Sequence, residues 1–175
     1  MIARSYFDSL CSEDISNGDG VKRDETTTRL LLRSYARNIS TRVTNRAILS
    51  DKNANIELSE TTFYSDVGVL KKLFLIQDVE AWCPAIRSKS AIQATEKREF
   101  VDPSLVVAAL GVDPEYFNLD LKTFGFIFET LCIRDLKVYS AALGGRVSYY
   151  HDRFGLDAVC VLHLRDGRYA LIEFK

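Results

Sequence analysis

Apolar residues recur at helical spacing through most of the chain and change to strand-like alternation near its end. Residues 25–39 read as a helix, with Asp24 as N-cap and Leu32, Tyr35, Ala36 and Ile39 as its apolar face. A short helix is predicted after Thr44, through Ala47 and Leu49. Ser59 then caps a third, with Phe63, Val67, Leu70 and Phe74 at helical spacing. Gly68 inside it costs about 1 kcal/mol relative to alanine. Residues 73–79 turn strand-like, Ala81-Trp82-Cys83-Pro84 interrupts the run, and 99–101 reads as a returning strand. Asp102-Pro103 opens a further helix that Gly111 closes, and a longer helix spans 120–143 before Gly144-Gly145. Strands are predicted at 146–151, 156–164 and 168–175, the last two joined around Asp166-Gly167. Asp19-Gly20 and the polar stretch around Asn17 read as loop.

This order gives an α+β chain. It divides into an N-terminal segment (1–24), a winged-helix-like module (25–101) and a helix-and-sheet unit (102–175). In a winged helix the third helix enters the major groove and the hairpin touches phosphates. Thr61, Thr62, Tyr64 and Ser65 are then the base-facing candidates. Lys71, Lys72, Arg87 and Lys89 are the phosphate contacts, and Arg29, Arg33 and Arg37 form a basic stripe on the first helix. The plainer alternative is a helical module whose basic groups are simply solvated.

Charge sharpens this division. The 175 residues carry 23 Lys+Arg and 24 Asp+Glu, a net −1. Residues 1–25 hold three basic and six acidic side chains, 26–100 twelve and eight, and 101–175 eight and ten. A basic middle between acidic flanks permits contact with DNA without demanding it. With 47% hydrophobic residues the chain has the balance of a globular protein, and no apolar run is long enough to cross a membrane. Cys11, Cys83, Cys132 and Cys160 are widely spaced and only two histidines are present, which argues against structural zinc and for reduced thiols in a cytoplasmic protein. No phosphate-binding Gly-x-x-x-x-Gly-Lys-Ser/Thr loop occurs, so ATP hydrolysis by this chain is not expected.

The candidate chemistry lies at the chain's last strand. Glu173 and Lys175 are two residues apart and share a face, with Phe174 turned to a core. An acid and an amine so placed can hold a divalent metal and polarise water, given a further carboxylate. If Asp166-Gly167 is a two-residue turn, Arg165 pairs with Arg168 and Asp157 on the neighbouring strand lies on the face opposite Glu173. Asp157 supplies the further carboxylate only if the connecting loop is Arg165-Asp166-Gly167, with Gly167 left-handed. Leu164 then pairs with Arg168, Val159 with Glu173 and Asp157 with Lys175. Glu129, set among apolar neighbours on the long helix, is a fourth member, and Asp135 is its rival. The alternative for Glu173 and Lys175 is a surface ion pair worth about 0–1 kcal/mol. His151 and His163 have no matched partners and read as structural.

Several stretches together look familiar. Glu13-Asp14-Ile15-Ser16, Asp19-Gly20-Val21, Leu31-Leu32-Arg33-Ser34-Tyr35-Ala36-Arg37-Asn38 and Leu73-Phe74-Leu75-Ile76 are the first. Phe100-Val101-Asp102-Pro103-Ser104-Leu105, Phe124-Gly125-Phe126-Ile127-Phe128-Glu129 and the stretch from Asp166 to Lys175 complete the set. They resemble the C-terminal domain of unknown function (DUF4143 type) of prokaryotic AAA-type ATP-binding proteins. The resemblance implies a winged-helix-like segment followed by a truncated PD-(D/E)xK nuclease-like unit. By that analogy Asp157 and Glu173 bind Mg²⁺, Lys175 orients the attacking water and Glu129 assists. The family pattern Gly-x-Glu-x-Asp is shortened here to Gly155-Leu156-Asp157, and the chain stops at Lys175 where the nuclease-like fold would continue. The expectation is therefore a fragment, nucleic-acid-associated, with a vestigial or incomplete Mg²⁺ site and at most weak nuclease activity. The alternative is a non-catalytic module that docks an ATPase or a second copy of itself.

Overall fold

A computed structural model describes residues 2–51, 58–85 and 94–175. The chain is mixed α and β, with helices preceding a small antiparallel sheet. Its first element is a helix that the sequence pattern did not signal. α1 (Ile2–Ser9) runs through a π-helical turn (Leu10–Asp14) into the short α2 (Ile15–Asn17). Phe7, Leu10, Cys11 and Ile15 bury one face of it. The stretch around Asn17 is thus the end of a helix rather than a loop, because this apolar stripe finds a tertiary partner.

The next three helices follow their caps. α3 (Glu25–Arg37) begins at Asp24, whose carboxylate accepts from the Thr27 N–H. α4 (Asn45–Leu49) begins at Thr44 and α5 (Glu60–Lys72) at Ser59, each side chain accepting from a backbone N–H three residues on. Phe63, Val67 and Leu70 are buried along α5. Phe74 is not: it adopts a left-handed φ of 55° just past the helix and is 74% exposed, so the predicted strand starts two residues late.

Residues 75–79 then pair antiparallel with 97–101. Gln77 N–H donates to the Glu99 carbonyl at 2.9 Å, and Val79 exchanges bonds with Lys97 at 2.8 and 2.9 Å. The expected hairpin tip, with Arg87 and Lys89, lies outside the described residues. α6 (Pro103–Leu110) has proline at its start, Asp102 as cap and left-handed Gly111 at its end, as the sequence specifies. It packs on α1 and α3. A 3₁₀ turn (Pro114–Asn118) leads to α7 (Leu121–Ala141), capped by Asp120.

The sheet has the order β1 (Arg146–His151), β2 (Asp157–His163), β3 (Tyr169–Ile172), antiparallel throughout. Beside β1, on the edge away from β2, Ala81 pairs parallel with Tyr149, and Trp82 N–H donates to the Tyr149 carbonyl at 2.7 Å. The first hairpin strand therefore runs on into the C-terminal sheet. One large core joins α1, α3, α5, α6 and the start of α7, and a smaller one gathers Val79, Ile133 and Tyr149 with Phe174 against it.

Candidate functional site

The β2–β3 connection has the three-residue form that the acidic constellation requires. Leu164 N–H donates to the Arg168 carbonyl at 2.8 Å, and Gly167 has φ 89°. The ladder pairs His163 with Tyr169 and Cys160 with Ile172, the register that sets Val159 opposite Glu173. Past Cys160 the bonding changes. The Val159 N–H meets the Glu173 carboxylate, at 3.4 Å, so Glu173 is drawn toward β2.

A β-bulge on β2 was not legible in the sequence. Between the pairs Ser148↔Val161 and Tyr150↔Ala158 the ladder slips by one residue, so Val159 and Cys160 stand opposite Tyr149. A bulge re-aims side chains and interrupts alternation. Asp157 accordingly pairs with His151 of β1 and lies 3.9 Å from its Nδ1 and 3.4 Å from Arg42.

Glu129 of α7 completes the acids. It opens on the same pocket as Asp157, a cleft of about 280 Å³ lined also by Ser40, Thr41, Arg42, Lys97, Tyr149 and Val159. Asp135, the rival, points elsewhere and pairs with the adjacent Arg134 at 2.8 Å. Glu129 is held above the usual carboxylate range. Burial is the main cause, the Lys97 ammonium opposes it, and the negative charge of Glu173 adds to it.

The central cation of this cleft is Lys97, which the sequence reading passed over. Its ammonium donates to the Glu129 carboxylate and, at 3.2 Å, to the Val159 carbonyl. The Lys97 side chain is 9% exposed, against 52% for Asp157. Lys175, by contrast, is exposed and makes no ion pair among the described residues. Behind Lys97 the next two charges of its strand are also buried. Arg98 pairs with Asp78 at 2.8 Å, and Asp78 also accepts from the Tyr35 hydroxyl. Burial raises the Asp78 carboxyl, but Tyr35, Arg98 and Lys71 together hold it below the ordinary range. Glu99 accepts from Ser40 at 2.9 Å and Thr130 at 2.7 Å, and burial pushes it up to about 7.

A divalent cation needs several oxygens converging at about 2.0–2.6 Å. Here Asp157 is turned to Arg42 and His151, Glu129 to Lys97, and Glu173 to a backbone amide. Among the described residues no group of three carboxylate, histidine or cysteine side chains is placed to hold a metal. As arranged, the residues proposed for Mg²⁺ do not fit it.

The residues expected to touch nucleic acid divide into two sets. Thr61, Thr62, Tyr64 and Ser65 are exposed on α5, Lys72 is exposed at its end, and Arg33 is exposed on α3, where it lines a different cleft with Leu110, Val112 and Tyr116. Arg29 is tied to Asp8 at 2.7 Å and to Glu25 at 2.8 Å, Arg37 to Asp51 at 3.3 Å, and Lys71 to Asp78 and Glu96 at 3.1 and 2.9 Å. The arginine stripe is thus not one free row of cations, because neighbouring elements bring carboxylates to it. Cys11, Cys83, Cys132 and Cys160 are free thiols. No described helix is long and apolar enough to cross a membrane.

Comparison with known proteins corrects the family resemblance. Residues 1–116 match the model of a family described as a domain of unknown function (DUF8612). No curated protein and no solved structure matches the chain. The match is to a different domain from the DUF4143 type, and nothing found places the chain with AAA-type ATPases. The stretches that suggested that kinship are short, and caps, Asp-Gly turns and a Glu-x-Lys strand end are devices that unrelated α+β chains share. The match spans two thirds of the sequence, from α1 into the 3₁₀ turn, and takes in Arg42 and Lys97 but not Glu129, Asp157 or Glu173: the chain belongs to the DUF8612 family.

Proposed function

We propose that this protein associates with nucleic acid through a winged-helix-like module and carries beside it a nuclease-like site that is incomplete for metal-dependent cleavage. The observation that carries the reading is the outer face of α5. Every side chain assigned to base contact there is exposed, while Phe63, Val67 and Leu70 anchor the opposite face. The hairpin of residues 75–79 and 97–101 follows directly, as a wing follows a recognition helix. The long helix with Glu129, then three antiparallel strands with Asp157 at the start of β2 and Glu173 just past the end of β3, supports the nuclease-like half.

The chemistry of the module is positioning rather than bond breaking. Thr61, Thr62 and Ser65 offer hydroxyls and Tyr64 an aromatic plane, while Lys72 and Arg33 supply charge. With Arg29, Arg37 and Lys71 already paired, few phosphates are neutralised. Binding to duplex DNA should weaken with salt at a shallow slope, near −0.9 for each of about two or three contacts. Fluorescence anisotropy with a labelled duplex across a salt series tests this. Absence of binding at low salt, or binding untouched by Thr62→Ala with Tyr64→Ala, would sink it.

Self-association is a second reading, favoured by one feature. β3 is the edge of the described sheet, with Tyr169 54% and Leu171 60% exposed. Sedimentation velocity over a concentration series distinguishes it.

A further inference from the structure

The mismatch between the acidic cleft and a metal ion has a specific cause. We infer that Lys97 is the resident cation of this site, its ammonium standing where a divalent ion would have to sit. The inference deepens the incomplete-site half of the proposed function and does not depend on DNA binding.

The position of Lys97 is set from both ends. Its backbone is fixed by the reciprocal bonds with Val79, at 2.8 and 2.9 Å. Its side chain runs inward to the Glu129 carboxylate and to the Val159 carbonyl that the β2 bulge presents. A carboxylate oxygen and a backbone carbonyl oxygen are the donors a hard divalent cation prefers. Both are already ligated, by a group that is 9% exposed and tethered to a strand. A magnesium or manganese ion entering here would have to expel a like charge into the pocket wall. A tethered ammonium also carries no bound water to activate, so the cleft keeps the charge balance of a metal site without its hydrolytic chemistry.

Taking that charge away should reverse the preference. Lys97→Met keeps the length and apolar stem and leaves the Glu129 carboxylate and the Val159 carbonyl without their cation, with the negative charge of Glu173 still acting on Glu129. The protein would then be titrated with MnCl₂ by calorimetry, free of DNA. Wild type and Lys97→Arg should show no saturable binding at millimolar Mn²⁺. Lys97→Met should bind at least about tenfold more tightly, and adding Glu129→Gln should abolish the gain. Equal Mn²⁺ affinity in wild type and Lys97→Met, or a folded Lys97→Met that binds none, would overturn the assignment. If Lys97→Met does not fold, the wild-type protein decides. The Lys97 side-chain ammonium resonance should be unmoved by 10 mM MgCl₂ (on the order of the concentration that fills weak Mg²⁺ sites), and a saturable shift would count against it. Failure of DNA binding leaves all these readouts standing, so the two proposals fall separately.

Discussion

The α3–α5 layer and the strand at residues 97–99 handle charge in opposite ways. In the helical layer most charged groups sit at helix ends and on outer faces, and several find a partner within one turn, Asp24 with Thr27 and Arg29 with Glu25; the buried Asp66 of α5, held by Arg23, is the exception. On the strand, Lys97, Arg98 and Glu99 are consecutive and all buried, and the partners of their side-chain hydrogen bonds come from 20 to 62 residues away. The first pattern costs little and contributes little. The second buries three ionisable groups at once, and it stands only because each has a carboxylate, a hydroxyl pair or a carbonyl waiting. A run of charges in a sequence is therefore no sure sign of a solvated tip.

The largest expected break in this contrast is at Asp78. Asp78→Asn removes the charge opposite Arg98, a side chain 4% exposed, and should destabilise the protein by about 3–5 kcal/mol in urea unfolding. Arg29→Ala in the helical layer should cost no more than about 1 kcal/mol by the same measurement. Equal costs would erase the distinction.

Glu99 gives a pH-dependent version. Its folded value, about 7, lies above its ordinary 4.5, so the fold binds its proton more readily than the unfolded chain does. Its contribution is full below about pH 4.5 and is lost as pH rises towards 7. Glu99→Gln should then be close to neutral at pH 4.5 and stabilising at pH 8, by on the order of 1–3 kcal/mol. A stability difference independent of pH would show that Glu99 is ionised in the fold.

A smaller effect is expected at the β2–β3 loop. Gly167→Ala places a side chain at φ 89° and should cost about 1 kcal/mol. No loss would mean that the loop reaches its register by another conformation. The smallest is Lys72→Ala, which should leave the unfolding midpoint within about 0.5 kcal/mol and lower the salt slope of DNA binding by about one unit.

Local rules made much of the fold legible. Asp24, Thr44, Ser59, Asp102 and Asp120 all cap the helices they announce, and Gly111 closes its helix left-handed. At Gly167 turn chemistry leaves two loops open, and the fold takes the three-residue one. What stayed hidden depends on distant parts of the chain. The N-terminal helices are held by burial against α3 and α6, the bulge at Val159 answers to Tyr149, and Lys97 acquires meaning only when Glu129 arrives from α7. At the candidate site the sequence offers the carboxylates, of which Glu129 and Asp157 line one cleft, but it gives no sign of the cation beside them. Glu96-Lys97-Arg98-Glu99 carries no apolar alternation that would mark it as interior.

The pairing of Ala81 with Tyr149 ties the fates of the two halves. A piece beginning at residue 102 would lose the chain that lies along β1 and bare the Tyr149 amide and carbonyl, which now bond to Glu80 and Trp82. Such a piece should clump or stay molten when expressed alone, and a single melting transition should serve the intact protein. Dissection would have to keep residues 75–82 with the sheet, wherever else the cut is made.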